Sequence, residues 1–254
     1  MVDTMQSVDL LGAGNFKFSA IGLDELEASE YTLVGIVVDI TGSVGGYETM
    51  LQKMIEEIVG ACKMSARSEN LLVRVTLFNS QTDILEIHGF KPVNDIDLSE
   101  YSGKLVPDAA TNLFDATYDM IGSIEQYGKS LADQEYSVNA AVYVITDGDD
   151  NSSTMTATNV KDRIHSIKRA EESIESLISV LIGIGTDGNH GWGSRVSQLL
   201  KEFKDDADLT QYIDAGNANA KTLAKLGNFI SQSISSQSHS LGTGGPSAQA
   251  SMKF

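Results

Sequence analysis

Three segments far apart in the chain each end an apolar run with oxygen-bearing side chains. LVGIVVDITGSV supplies Asp39, Thr41 and Ser43; PDAATNLFDA supplies Thr111; AAVYVITDGDD supplies Asp147. Asp39, Thr41 and Ser43 stand at i, i+2 and i+4, so in extended chain their side chains point the same way. Two carboxylates and three hydroxyls, with no His or Cys among them, are the donors that a hard divalent cation takes.

The elements that must position these residues follow from hydrophobic periodicity. Residues 33–38 form a continuous apolar run, the mark of a strand covered on both faces. Gly45 and Gly46 then lead into a helix over 47–64, with Met50, Leu51, Met54, Ile55 and Ile58 at helical spacing. Residues 72–79 and 82–87 read as strands. Only Ser80 and Gln81 link them, so they must pair antiparallel, because a parallel crossover needs a dozen or more residues. An irregular stretch follows, and Thr111 opens the next helix. Strands are expected at 140–146, 178–184 and 211–213. Helices are expected at 158–177, 196–203 and 218–234.

Strands alternating with helices predict an α/β fold. We expect a doubly wound, mostly parallel six-stranded sheet with helices on both faces and one antiparallel edge strand. In the order 3-2-1-4-5-6, the strands that carry Asp39 and Asp147 are neighbours where the order reverses, and ligands sit outside the carboxyl ends of strands there. The fold therefore brings the two aspartates together independently of any motif. Residues 1–30 read as an N-terminal arm, with Gly12 and Gly14 breaking regular structure and FKFSAI (16–21) alternating as a short strand. Residues 31–238 read as the domain. Residues 239–254, rich in Ser and Gly, read as a flexible tail.

Composition excludes several functions. The formal charge of −17 repels phosphate backbones and argues against nucleic-acid partners. No run of 18 apolar residues occurs, so no membrane-spanning helix is expected. The N-terminus lacks the pattern of a signal peptide. Cys62, the only cysteine, lies in a helical pattern and reads as core filler. A cytoplasmic protein, or part of a particle assembled in the cytoplasm, fits these features.

The three loops together resemble the metal-ion-dependent adhesion site (MIDAS) of the von Willebrand factor A (VWA) domain family. There the motif reads D-x-S-x-S, then a Thr, then an Asp in a T-D-G turn. The resemblance spans about residues 31–236 by order and spacing of elements. Thr41 stands where Ser is commoner, which keeps the hydroxyl and stiffens χ1. The resemblance implies Mg²⁺, with Mn²⁺ or Ca²⁺ as alternatives. Thr41 and Ser43 would supply hydroxyls, and Thr111 another, directly or through water. Asp39 and Asp147 would supply charge, largely through water. It implies one open position for the carboxylate of a partner protein, and hence a metal-dependent protein–protein interaction module without catalysis. Bacterial and phage relatives of the family often work beside AAA+ ATPases or in multi-protein assemblies.

Two other classes compete. One is a structural subunit that binds through its arm and tail. The other is a metal-dependent hydrolase or phosphatase, which needs a general base or strong nucleophile near the cation. Of the four histidines, His88, His165, His190 and His239, only His190 falls in a loop at the right end of the sheet. GIGTDG (183–188) matches G-x-G-x-x-G, but NHGWGS after it does not read as a helix start, and Asp187 would repel a pyrophosphate. It reads as a turn. Trp192 reads equally as a loop contact residue or a core-edge residue. Asp149 and Asp150 read as a solvated acidic turn rather than a second cation site, and Asp108 as a turn residue.

Overall fold

The computed structural model describes residues 6–7, 17–169, 173–185, 193–216 and 220–240. The strands are β1 (Gln6–Ser7), β2 (Ser19–Ala20), β3 (Glu30–Asp39), β4 (Leu71–Asn79), β5 (Asp83–Pro92), β6 (Ser137–Thr146), β7 (Ser176–Gly183) and β8 (Gln211–Asp214). The helices are α1 (Glu48–Lys63), α2 (Leu113–Ala132), α3 (Ala157–Arg169), α4 (Gly193–Asp206) and α5 (Ala220–Ser240). The strands form one sheet in the order β1-β2-β5-β4-β3-β6-β7-β8. Its six long central members stand in the expected order, and β4–β5 is antiparallel with Asn79 opposite Asp83.

The apolar run of β3 divides between two cores, as period-2 side chains must. Val34, Ile36 and Val38 join α1 and α5 on one face, with Met54, Ile55, Leu226 and Ile230. Leu33 and Val37 join α2, α3 and α4 on the other, with Met120, Ile124, Ile164 and Phe203. Cys62 packs in the first core at 2% exposure, and burial pushes its thiol up to about 12.

The structure corrects the sequence reading at several elements. The sheet has eight strands, not six, because the arm contributes β1 and β2 beyond β5. The antiparallel strand is therefore not the edge: β2 pairs with it at Ala20–Phe90. β5 itself runs on to Pro92, through residues expected to be irregular. The helix expected to reach residue 177 is described only to Arg169. Ser176 and Leu177 instead pair with Asn139 and Ala140, since sheet pairing outweighs an amphipathic pattern that fits either element. α4 opens at Gly193, inside the segment read as having no helix start. α5 continues to Ser240, into the first residues of the expected tail. His190, Trp192, most of the GIGTDG turn beyond Gly185, and residues 241–254 lie outside the described residues.

The sequence reading also passed over Arg74, a lone cation in the apolar strand LLVRVTLFN. It is fully buried on the α2 face. Its guanidinium meets Glu86 at 2.7 Å, Asp119 at 3.1 Å and Ser123 Oγ at 2.9 Å. Glu86 in turn accepts hydrogen bonds from the Ser19 amide and hydroxyl, which fastens the arm to the sheet. Phe18 lies 5.8 Å from the Arg74 guanidinium and packs edge-on against Phe90 and Tyr127. The close approach needs Gly89, where an added Cβ would stand 1.8 Å from Ser19 O. Gly89→Ala should therefore displace the arm strand and cost about 1–3 kcal/mol. Hydrogen exchange should show the Ser19 and Ala20 amides losing protection while β3 and β6 keep theirs. Unchanged exchange at Ser19 would mean that the arm is not held by this contact.

Candidate metal centre

The register of the sheet sets the geometry. Val38 pairs with Ile145 across β3 and β6, so Asp39 ends its strand beside Thr146. Thr146 Oγ1 donates to Asp39 Oδ2 at 2.5 Å, and the Gly148 amide donates to Thr146 Oγ1 at 3.1 Å. The other Asp39 oxygen accepts the Thr41 amide at 2.7 Å, which turns the chain out of β3. A short 3₁₀ turn, Gly42–Val44, then presents Ser43. Thr41 Oγ1 and Ser43 Oγ lie 3.0 Å apart, and Ser43 Oγ donates to Asp147 Oδ1 at 2.7 Å.

Thr111 arrives on the loop before α2, tied to both neighbouring loops. The Asp108 amide donates to Ile40 O at 3.0 Å, and the Gly42 amide to Ala109 O at 3.3 Å. On the other side, Thr111 N donates to Asn151 Oδ1 at 2.9 Å. Thr111 O accepts from the amides of Asn151 and Ser152 at 3.0 and 3.1 Å. An added Cβ at Gly148 would lie 3.4 Å from Thr111 Oγ1 and 3.8 Å from Ser43 Oγ, so the three converge on one spot. Thr111 Oγ1 has no hydrogen-bond partner among the described residues. All five residues named from the sequence thus lie together at the carboxyl end of β3 and β6.

Other residues organise the site without having been singled out as parts of it. Thr146 and Asn151 hold Asp39 and Thr111, as described above. Ser153 Oγ accepts the amides of Phe114 and Asp115 at 3.1 Å, and Asp150 Oδ1 accepts that of Phe114 at 3.3 Å, at the start of α2. Asp150 is therefore a helix-terminus acceptor, where a carboxylate is favoured. Asp115 returns the tie by accepting the amides of Thr154 and Met155. The signal available in the sequence was the density of Asp, Asn, Ser and Thr in DGDDNSST, residue types that bond nearby backbone. Asp108 is the turn residue expected: its carboxylate accepts the Ala109 amide at 2.7 Å.

The electrostatics favour a cation. Asp39 is 1% exposed, and neither Asp39 nor Asp147 makes an ion pair among the described residues. Burial pushes the Asp39 carboxyl up, against hydrogen bonds from Thr146 and Thr41. Burial, then the charge of Asp39, pushes Asp147 up to about 6, with the Ser43 hydroxyl pulling the other way. No three His, Cys, Asp or Glu side chains converge among the described residues. The donor set is instead two mutually repelling carboxylates with hydroxyls, which fits a hard, oxygen-loving ion. His88 is buried and bonded to Tyr101, and His165 on α3 pairs with Asp208 beyond α4, so neither is part of this site.

No protein-family model and no curated protein matches the chain. Solved structures share its fold. The pilus adhesin SpaC from Lactobacillus rhamnosus GG, in its open conformation, aligns with a TM-score of 0.57 at 13% identity, over 87% of this chain and 31% of that one. Proximal thread matrix protein 1 from the mussel byssus aligns at 0.54 and 14%, over 83% and 47%. A form of the mussel protein with a zinc-occupied MIDAS motif aligns at 0.51 and 15%, over 82% and 47%. The shared feature is a VWA-like, Rossmann-type fold. The chain spans less than half the length of each of these proteins.

Two outcomes follow from the local physics. The folded pKa of Asp147, about 6, lies above the ordinary 3.8, so the metal-free protein loses stability as pH rises from about 4 to about 6. Asp147→Asn keeps an acceptor for Ser43 and should flatten that slope in chelator, stabilising the metal-free protein by about 2 kcal/mol at pH 7. Urea unfolding at several pH values reads it, and an unchanged slope would clear Asp147 of the strain. Separately, Ala109 has φ of 62°, which costs a side chain about 1 kcal/mol. Ala109→Gly should raise the thermal midpoint, and a lowered midpoint would contradict that account.

Proposed function

We propose that the chain is a metal-dependent protein-interaction module. Asp39, Thr41, Ser43, Thr111 and Asp147 would hold a divalent cation, Mg²⁺ in this reading, and a partner's carboxylate would complete its surroundings. The convergence of these five oxygen-bearing side chains at the switch point carries the reading, with a buried Asp39 and a half-buried Asp147 that make no ion pair among the described residues. Bound there, the cation would supply a charged position for an anionic oxygen from another molecule. The residues of the chain do the rest. Thr146 and the Thr41 amide aim Asp39, Ser43 aims Asp147, and Asn151 fixes the Thr111 backbone. The exposed loop of Gly42 and Ser43 leaves the site open to a large partner.

The likeness in fold to an adhesin and a matrix protein supports interaction over catalysis. His88 and His165 are engaged elsewhere, with Tyr101 and Asp208. The arm supports the alternative of a structural subunit less directly, because Phe18 and Ser19 are committed to packing on the domain.

Calorimetric titration of the chelator-stripped protein with Mg²⁺ and Mn²⁺ tests the metal. One saturable site is expected, lost in Asp39→Ala and weakened at least tenfold in Thr111→Val, with both variants still folded by circular dichroism. Affinity should fall below about pH 6 as Asp147 takes up a proton. Retention of full affinity by Asp39→Ala would place the metal elsewhere. Absence of any heat or thermal shift in the parent protein would remove the reading altogether.

A further inference from the structure

We propose that the partner-binding surface extends from the metal centre over a shoulder formed by Val106 and Leu85 and bordered by Asp108 and Asp83. The occupant is a segment of a partner protein in which the acidic residue is accompanied by an apolar and a basic side chain. This rests on the metal-dependent reading of the site and adds what surrounds the partner's carboxylate.

Three large hydrophobic side chains are exposed among the described residues: Met64 at 83%, Val106 at 64% and Leu85 at 40%. Met64 caps the far end of α1. The other two stand close to the site. Val106 is two residues from Asp108, whose amide is bonded to Ile40 O, so it lies within about 7 Å of chain pinned to the first loop. Leu85 pairs with Leu77 near the carboxyl end of β4 and shares its face of the sheet. Leu105, next to Val106, packs into the same core cluster as Leu77. Leu85 and Val106 therefore occupy one shoulder, on the α1 side of the metal centre.

Charge decides what kind of segment fits. Asp83 and Asp108 are exposed and make no ion pair among the described residues. Asp149 stands beyond Asp147, and the charge of Arg195 acts on it. Lys104, also exposed, is the cation nearest to Val106 along the chain. A segment that is acidic throughout would be attracted at the cation and repelled around it. A carboxylate flanked by Lys or Arg meets opposite charge at both places, and that flanking charge discriminates against other acidic proteins. An apolar neighbour covers Val106 and Leu85, which are otherwise left in water.

Peptide phage display on the full chain in Mg²⁺, eluted with EDTA, tests this. Enriched peptides should carry Asp or Glu with an apolar and a Lys or Arg residue within a few positions. By fluorescence anisotropy, Val106→Ser should weaken the synthesised peptides about tenfold, with a smaller loss for Leu85→Ser. Replacing the peptide's basic residue should cost several-fold against the parent protein and little against Asp108→Asn. Val106 is exposed, so its replacement leaves folding intact. Peptides eluted by EDTA but indifferent to Val106, Leu85 and Asp108 would overturn the shoulder and leave the metal reading standing. Peptides that resist EDTA and bind Thr111→Val equally well would overturn the metal reading instead. No enrichment in Mg²⁺ would count against both.

Discussion

The hydrogen bond from Thr146 to Asp39 spans the two strands at which the winding of the sheet reverses. From β3 the chain leaves to α1 on one face, and from β6 it leaves to α3 on the other. Between those departures lies a crevice that no crossover covers. Thr146 and the Thr41 amide use both oxygens of Asp39, so this carboxylate cannot swing away to relieve its burial. Asp147 follows Thr146 directly, and its position is inherited from the same contact. The loops of Ser43 and Thr111 close around that fixed pair.

Two solutions to burying charge coexist in the molecule. On the α2 face, Arg74 is fully buried between Glu86 and Asp119, with Ser123 as a further acceptor. Removing one partner from such a pair costs about 3–5 kcal/mol, and the network here also anchors the arm through Ser19. At the carboxyl end of the sheet, Asp39 and Asp147 are held close together and make no ion pair among the described residues. Hydroxyls and amides reduce the penalty without neutralising it. An arrangement that leaves like charges adjacent at a crevice is the mark of a site built for a ligand rather than for stability. The contrast is between a neutralised charge cluster and one left unneutralised among the described residues of a single sheet.

Rigidity around the crevice comes from backbone ties rather than from long side chains. Ile40 O, Ala109 O and Thr111 O accept amides from neighbouring loops, and Asp150, Ser153 and Asp115 lace the third loop to the start of α2. Short Asx and hydroxyl bonds of this kind lose little conformational entropy.

The alternation of continuous apolar runs with amphipathic segments was legible in the sequence, and with it the order of the six central strands. The five oxygen-bearing residues that converge were legible as well, because their types and the ends of their strands are local properties. Where neighbouring chain decides, the sequence alone fell short. A two-residue strand such as Ser19–Ala20 has no periodicity of its own and exists only because Gly89 and Glu86 receive it. Ser176 and Leu177, whose pattern fits a helix, lie in β7 because they pair with β6. Arg74 looks like an anomaly in an apolar strand until α2 brings Asp119 to it. The sequence by itself determined which oxygens are available and which strands carry them, since composition and period are one-dimensional facts. Only the tertiary structure decided that Thr146 orients Asp39, that Asn151 holds Thr111, and that two aspartates meet at one crevice, because those contacts join residues about 40 to 107 positions apart.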